Sequence, residues 1–430
     1  MDYLERLSGL LGKSYSPYHA IANIEGELKD QGFEELKESE PFNLLPGGCY
    51  YVKRNGSSII AFKLRQEKGP LSFKIASAHS DSPTFKLKPS PIIERGDLLL
   101  LNTEPYGGGI YSTWMDRPLS IAGRLLVEEN GIISPRLFAI DRDLCSIPNL
   151  CIHFCRDINS GHNYNPAKDT LPILGVKEGE FDFKEFLKRE AGIENGNIIG
   201  SDLFLYSRQK PAKMGLEGEL FSSPRLDDLA SAYTVLFGFL EAKASPQVEV
   251  YCCFDNEEVG SLTRQGAHSD FLKNTLKRIC DVLGEEYEPA LARSFNLSVD
   301  NAHATHPNYS EVSDPRNPIS LNGGIVIKYN ANQSYTSDGL SSSLVKALCL
   351  KHGLLFQEFA NKSDIRGGST LGNISNSEVS LLSCDIGLPQ LAMHSSNELM
   401  GSKDVESMVN LSEAYYGNSI LISPDSITIE

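Results

Sequence analysis

Apolar residues recur at two spacings along the chain, and the change from one spacing to the other predicts where helices and strands lie. Residues 17–32 carry apolar side chains three and four positions apart, and Ser16 is suited to cap a helix there. Short apolar runs at residues 58–64 and 73–78 have the length of strands, and the second leads directly to His79. The first part of the chain therefore predicts a helix followed by strands.

The next stretch has a different texture, with short apolar runs broken by turns rich in glycine and asparagine. Its predicted strands are residues 98–101, 121–127, 132–133 and 137–140. One helix is predicted around residues 183–190. We therefore expect residues 89–213 to form a β-rich insertion.

Beyond Pro224 the pattern alternates between helices and strands. The predicted helices are residues 228–243, 268–283 and 341–352, and the predicted strands are residues 248–254, 294–299 and 354–359. Such alternation is typical of an α/β fold in which a mixed, largely parallel sheet is covered by helices. We expect residues 1–88 and 214–430 to form this domain around the insertion.

Composition and charge narrow the classes of partner. The 430 residues carry a formal net charge of -16, which argues against nucleic acid and against an anionic membrane surface. The N-terminus has an early acid and no apolar run, so we expect neither a secretory signal nor a membrane span. Nine cysteines without regular spacing are typical of reduced thiols, and those at 151, 155, 252 and 253 lie in apolar runs suited to a core. We expect a cytoplasmic protein.

Acids and histidines recur at predicted strand ends, where sites gather in α/β sheets. Five segments carry them: residues 78–83 with His79 and Asp81, residues 224–228 with Asp227, residues 255–260 with Glu257 and Glu258, residues 299–303 with Asp300, and residues 391–395 with His394. Two histidines and three carboxylates are the usual supply for a pair of divalent cations that share one bridging acid. Two further acids, Asp81 and Glu257, would remain to orient a ligand and to handle protons.

Each segment alone also has an ordinary structural interpretation. His79 with Asp81 could be a buried structural pair, and the acids at 257–258 could form a solvated turn. His394 follows three apolar residues, as a core histidine would. Asp228 is suited to cap the next helix, which would leave its neighbour free to bridge two cations. The joint order of the segments favours a metal site over these alternatives.

That joint order resembles the aspartyl aminopeptidase family of binuclear zinc metallopeptidases. The matching blocks are residues 77–83, 106–109, 114–117, 222–227, 255–261, 300–304, 328–333 and 389–395. The resemblance implies a catalytic α/β domain interrupted by a β-rich dimerisation domain, two divalent ions and assembly into a dodecamer. Zinc is the implied metal, although manganese and cobalt accept the same ligands.

The resemblance also implies a role for individual residues. Asp227 would bridge the metals, with His79 and Asp300 on one side and Glu258 and His394 on the other. Glu257 would be the general base, and Asp81 would orient His79. His303, Lys328 and Tyr335 would bind substrate, and His153 would reach the active site of a neighbouring subunit.

The implied substrates are peptides with a free N-terminus, preferably beginning with Asp or Glu, whose carboxylate Lys328 could pair with. Alternatives are an aminopeptidase that prefers neutral residues such as leucine, a related deacylase or carboxypeptidase, and an assembly without turnover. Two blocks depart from the family pattern. Arg366 precedes the Gly-Ser-Thr motif where relatives commonly have cysteine, and residues 114–118 replace the more usual aromatic and non-proline residues.

Overall fold

The computed structural model describes residues 2–65, 69–365, 367–423 and 426–430, so Arg366 lies outside the described residues. The helices are α1 (Tyr3–Leu11), α2 (Pro17–Asp30), α3 (Phe183–Glu190), α4 (Leu226–Glu241), α5 (Phe271–Leu283), α6 (Tyr287–Ala292), α7 (Gly339–His352), α8 (Leu371–Asn376) and α9 (Asp404–Gly417).

The strands are β1 (Glu34–Leu36), β2 (Cys49–Arg54), β3 (Ser58–Lys63), β4 (Phe73–His79), β5 (Thr84–Arg95), β6 (Leu98–Tyr106), β7 (Leu119–Glu129), β8 (Ile132–Ala139), β9 (Ile173–Val176), β10 (Asn197–Ser207), β11 (Ala212–Met214), β12 (Leu220–Ser223), β13 (Val248–Phe254), β14 (Phe295–Val299), β15 (Ala302–His303), β16 (Ile325–Tyr329), β17 (Phe356–Ala360), β18 (Leu382–Gly387), β19 (Pro389–Leu391), β20 (Glu398–Gly401), β21 (Ile420–Ser423) and β22 (Ser426–Ile429).

The largest sheet is mixed and has the order β1-β2-β3-β13-β4-β14-β18-β16-β17. Its central strands β13, β4, β14 and β18 run parallel, whereas β3 and β16 pair antiparallel with their neighbours β13 and β18. This architecture confirms the predicted α/β fold with a mixed, largely parallel sheet covered by helices.

Both faces of this sheet are buried, which explains why its strands are continuous apolar runs. Along β13, Tyr251 and Cys253 pack on one face with apolar residues of α1, α2, α4, α7 and α9. Val250 and Cys252 pack on the other face with α5, α6 and α8. Successive residues of a strand point to opposite faces, so a fully apolar strand is required between two helical layers.

The parallel strands bring the predicted site segments to one edge of the sheet. Residues of β4 pair in register with residues of β13 and β14, and the three strands end at His79, Phe254 and Val299. The segments that follow these strands carry Asp81, Glu257 and Asp300, and they meet above the sheet edge. Parallel alignment is therefore what gathers side chains that lie up to about 220 positions apart in the sequence.

The insertion contains an antiparallel sheet of its own, with the order β8-β7-β10-β5-β6-β9. Apolar residues of β5, β6, β7 and β10 pack with α3 into a separate cluster. The predicted helix at 183–190 coincides with α3, while the predicted runs at 132–133 and 137–140 belong to the single strand β8. The division into domains at residues 88 and 213 stays a prediction.

One smaller expectation was wrong, and one helix was not predicted. Cys151 is exposed and Cys155 is half-buried in a segment of turns, so neither belongs to a core strand as Cys252 and Cys253 do. Helix α9 was not predicted because residues on most of its sides are buried, among them Val405, Met408 and Tyr415, so its apolar positions form no single stripe. No helix among the described residues is long and apolar enough to cross a membrane.

Candidate metal centre

One cavity at the sheet edge is lined by nine of the eleven predicted site residues. They are His79, Asp227, Glu257, Glu258, Asp300, His303, Lys328, Tyr335 and His394. Asp81 lies directly behind this group, and His153 lies elsewhere, exposed in the insertion. The fold thus brings together side chains contributed by separate strands and loops.

Asp227 lies at the centre of the group, with a histidine on either side. Its Oδ1 is 3.6 Å from Nε2 of His79, and its Oδ2 is 3.3 Å from Nε2 of His394. Two sets of three donor atoms, each within 4.8 Å of one another, share Asp227: one includes His79 and Asp300, the other Glu258 and His394. A single carboxylate between two donor sets is the arrangement that a metal-bridging acid requires.

Both histidines present their Nε2 atoms towards this centre in a form that can bind a cation. Nδ1 of His394 is 2.9 Å from the carbonyl oxygen of Gly108, and Nδ1 of His79 is 3.1 Å from the carbonyl oxygen of Asp81. A carbonyl oxygen only accepts, so each Nδ1 carries the proton and donates it. In its neutral form, which is the form that binds a cation, each imidazole then has its lone pair on Nε2, as in metal-ligating histidines.

The carboxylates are packed too closely to be charged without compensation. Burial raises the pKa of Glu258 well above its ordinary value, and the nearby Asp227 charge raises it further. Burial also raises the pKa of Glu257 to about 7, with Asp300, Asp81 and Asp227 adding to the effect. Burial opposes ionisation of Asp227 as well, but hydrogen bonds from His394 and His79 in their protonated forms lower the pKa of this carboxyl below its ordinary value.

Two buried carboxylate oxygens at this centre accept no hydrogen bond within the described part of the chain, and a bound cation would satisfy them. Oδ1 of Asp227 and Oε1 of Glu258 are both inaccessible to solvent and accept none from the described residues. Such atoms are costly unless a cation or a proton satisfies them. The donor set of imidazole nitrogen and carboxylate oxygen suits zinc, manganese and cobalt alike.

Asp81 contacts both His79 and the acidic turn of residues 257–259. Its carboxylate accepts hydrogen bonds from the backbone N–H groups of Glu257 at 3.1 Å and Glu258 at 3.2 Å, and from the Tyr106 hydroxyl at 2.7 Å. Its Oδ1 is 3.4 Å from Nδ1 of His79, a longer distance than that from the Asp81 carbonyl oxygen. The main chain of Asp81 therefore makes the closer contact with the imidazole, while the side chain orients the turn of residues 257–259.

Two buried acids support the centre in ways that the sequence did not predict. Asp228 accepts hydrogen bonds from the backbone N–H groups of His79 and Asn301, both at 3.2 Å, instead of capping α4. Glu398 accepts from the backbone N–H groups of Asp227 at 3.0 Å and His394 at 2.7 Å. The only sequence signal for Glu398 is its position four residues after His394.

Three of the four predicted substrate residues line the cavity, namely His303, Lys328 and Tyr335. Lys328 is buried, and its Nζ donates to the carbonyl oxygens of Asp300 at 2.7 Å and Asn301 at 3.2 Å. Nζ also lies 3.5 Å from Oδ2 of Asp300 and 5.4 Å from the centre of the Tyr335 ring. His303 packs edge-on against Phe359, as does Tyr335. Burial disfavours the charge on Lys328, but Asp300 raises the pKa of this ammonium above its ordinary value.

Known proteins resemble this chain over most of its length. The family model described as Aminopeptidase I zinc metalloprotease (M18) matches residues 10–416. A probable M18 family aminopeptidase 2 of Clostridium novyi is 45% identical over 415 residues, which cover 94% of this chain and 96% of the relative.

Solved structures show the same fold. A chain in the cryo-EM structure of the Ape4 and Nbr1 complex has a TM-score of 0.93 and 34% identity, over 97% of this chain and 85% of that chain. A chain of the mApe1 dodecamer of S. cerevisiae has a TM-score of 0.85 and 25% identity, over 96% of both chains. This chain belongs to the M18 family of zinc metalloproteases and is a metal-dependent aminopeptidase of that family.

Proposed function

We propose that the chain is a binuclear aminopeptidase that removes N-terminal residues from peptides, with a preference for Asp and Glu. The observation that carries the proposal is the position of Asp227, whose two carboxylate oxygens each face one of two donor sets. In this proposal His79 and Asp300 hold one ion, Glu258 and His394 hold the other, and Asp227 is shared. Zinc is the proposed metal in both positions.

The residues around the centre have separable roles. Divalent ions held by these residues would supply Lewis-acid polarisation of the scissile carbonyl and would acidify a water molecule. Glu257, which belongs to neither of the donor sets that share Asp227, takes a proton from that water on its carboxylate and later delivers it to the leaving amine. Asp81 keeps Glu257 and Glu258 in their turn through two backbone hydrogen bonds. The acidic cluster favours a protonated α-amine on the substrate, which restricts cleavage to the first residue.

A peptide panel tests the proposed reaction. Asp-, Glu-, Leu- and Ala-peptides and their N-acetylated forms would be incubated with the full-length protein, with and without a chelator. We expect release of the first residue from the free Asp- and Glu-peptides, abolished by the chelator and restored by added zinc. Cleavage of acetylated peptides would contradict an aminopeptidase, and a preference for Leu-peptides would contradict only the acidic specificity.

Lys328 is the group proposed to recognise the acidic side chain, because it is a buried cation on the wall of the cavity. A specific observation favours the alternative, a preference for neutral residues: the Lys328 ammonium already contacts Asp300 and Asn301. If those contacts use all its donors, Lys328 supports Asp300 and recognises nothing on the substrate.

The substitution Lys328→Met separates these two roles. We expect kcat/KM for Asp-peptides to fall by about 10- to 100-fold, because a hydrogen bond to a charged group is worth about 1.5–3 kcal/mol. The loss for Leu-peptides should be much smaller. Lys346→Met is the matched control, because it alters a lysine of α7 that pairs with Glu358 of β17. Equal losses on both substrates would assign Lys328 to the support of Asp300.

Assembly is the remaining part of the proposal. We infer a cytoplasmic homo-oligomer in which His153 of one subunit reaches the active site of a neighbour. Its support is the exposure of His153 in a turn of the insertion, away from the cavity of its own chain, together with the dodecameric relative. Exposed apolar residues near it, such as Leu150, Ile152 and Phe154, are typical of a surface that another subunit covers.

A further inference from the structure

A short segment of the insertion contacts the candidate metal centre from outside the domain that carries its donors. It begins at Tyr106, the last residue of β6, and continues through Gly107, Gly108 and Gly109. Tyr106 pairs with Thr84 of β5, and its ring packs edge-on against Phe204 of β10. The segment is thus anchored in the sheet of the insertion.

The Tyr106 hydroxyl has one hydrogen-bonded neighbour on each side, and their chemistry fixes the direction of its proton. Asn256 Nδ2 is 2.8 Å from the hydroxyl oxygen, which is 2.7 Å from Oδ2 of Asp81. Oδ1 of Asn256 accepts hydrogen bonds from Thr263 and Gln265, both at 2.8 Å. The Asn256 amide therefore faces Tyr106 with its NH₂ group, and the hydroxyl must donate to Asp81.

The Asp81 carboxylate then holds the backbone of the acidic turn, which carries the proposed base Glu257 and the proposed ligand Glu258. Its Oδ2, which accepts from Tyr106, also accepts from the Glu258 N–H, and its Oδ1 accepts from the Glu257 N–H. The hydroxyl supplies the third donor to this buried carboxylate. Without it, the carboxylate would lose one of the contacts that fix its plane.

The glycines that follow reach the opposite side of the centre. The Gly108 carbonyl accepts the Nδ1 proton of His394, and the Ile110 N–H donates to the His394 carbonyl oxygen. Gly107 has a φ of +72°, and a Cβ there would lie 3.1 Å from Cβ of Glu258. The positive φ and this close approach both favour glycine at position 107.

We propose that Tyr106 is a positioning residue of the reaction, through which the insertion holds the Asp81 carboxylate and thereby the turn of Glu257 and Glu258. The inference rests on the proposed binuclear function. The proposal gives the Tyr-Gly-Gly-Gly segment a role. The donors of the centre all lie outside the insertion, and this segment of the insertion supports them. Loss of the Tyr106 hydroxyl should therefore weaken metal binding and slow turnover without weakening substrate binding.

The substitution Tyr106→Phe tests the proposal against a matched control, Tyr206→Phe. The Tyr206 hydroxyl also lies in the insertion, donates to a carbonyl oxygen at 2.7 Å and accepts from a side chain, Arg208. Metal-free wild-type and variant proteins would be titrated with zinc in a calorimeter. Their kcat and KM on an Asp-peptide would then be measured in the zinc-loaded state.

We expect Tyr106→Phe to bind at least one zinc ion about tenfold more weakly and to lower kcat about tenfold, with KM within about twofold. Tyr206→Phe should have the zinc affinity, kcat and KM of the wild type. Tyr106→Phe behaving like Tyr206→Phe would overturn the proposal. If Tyr106→Phe does not fold, Asn256→Ala decides, because it removes the donor that directs the hydroxyl and should weaken zinc binding in the same direction. A wild type that binds fewer than two zinc ions would contradict the proposed function instead.

Discussion

Replacing Glu257 with glutamine is expected to lower kcat by about 10²- to 10⁴-fold, the usual contribution of a general base. Glutamine keeps the size of the side chain and the backbone hydrogen bond to Asp81, but its amide cannot take a proton from water. Glu257 belongs to neither donor set that shares Asp227, so the variant should still bind two ions. The measurement is kcat on an Asp-peptide, with metal content determined on the same sample.

Glu194→Gln, which changes an exposed glutamate of the insertion, is the control for this substitution. It should keep wild-type activity. Activity within a few-fold of the wild type in Glu257→Gln would contradict the assignment of the base. Loss of an ion in that variant would instead make Glu257 a ligand, in keeping with the third group of neighbouring donors, formed by His79, Glu257 and Glu258.

Replacing Asp227 with asparagine is expected to prevent the protein from binding two metal ions at the same time. Asp227 is the residue that the two proposed donor sets have in common, and an amide offers one neutral oxygen where the carboxylate offers two charged ones. The two histidines would then lack a shared partner. We expect the protein to retain at most one ion and kcat to fall by more than about 10³-fold, because water activation and carbonyl polarisation both depend on the pair.

The neighbouring substitution Asp228→Asn separates this effect from the simple loss of a buried charge. Asp228 is equally buried, but its oxygens accept from the backbone N–H groups of His79 and Asn301, and it is in no donor set. Asparagine there should lower the melting temperature while two ions remain bound. The same metal loss in both variants would contradict the special role of Asp227.

Much of this site could be predicted from the sequence because strand ends and ligand chemistry leave short local signals. His79, Glu257 and Asp300 each follow an apolar run that is a strand of the central sheet, and parallel pairing brings those ends together. Glu398 left no such signal, because it acts through backbone N–H groups that no sequence pattern reveals. The sequence indicated Tyr106 only as part of the segment 106–109, because its proposed role depends on a contact with residues outside its own sheet.

Some predictions differ from the structure because a local sequence pattern does not show how distant segments pack. Asp228 has the position of a helix cap in the sequence, but the backbone turns so that its side chain meets two strand ends instead. Helix α9 is buried on most sides, so it carries no amphipathic stripe. Cys151 and Cys155 lie in an apolar run that is not a strand, and Leu150, Ile152 and Phe154 of this run are exposed.

The measurement that tests the central claim most directly is the dependence of activity on bound metal. Metal-free protein would be titrated with zinc, and the release of the first residue from an Asp-peptide would be measured at each ratio of ion to chain. The account predicts that activity rises until two ions are bound per chain and that Asp227→Asn gains no activity at any ratio. Full activity with a single ion per chain, or without any, would contradict a binuclear centre.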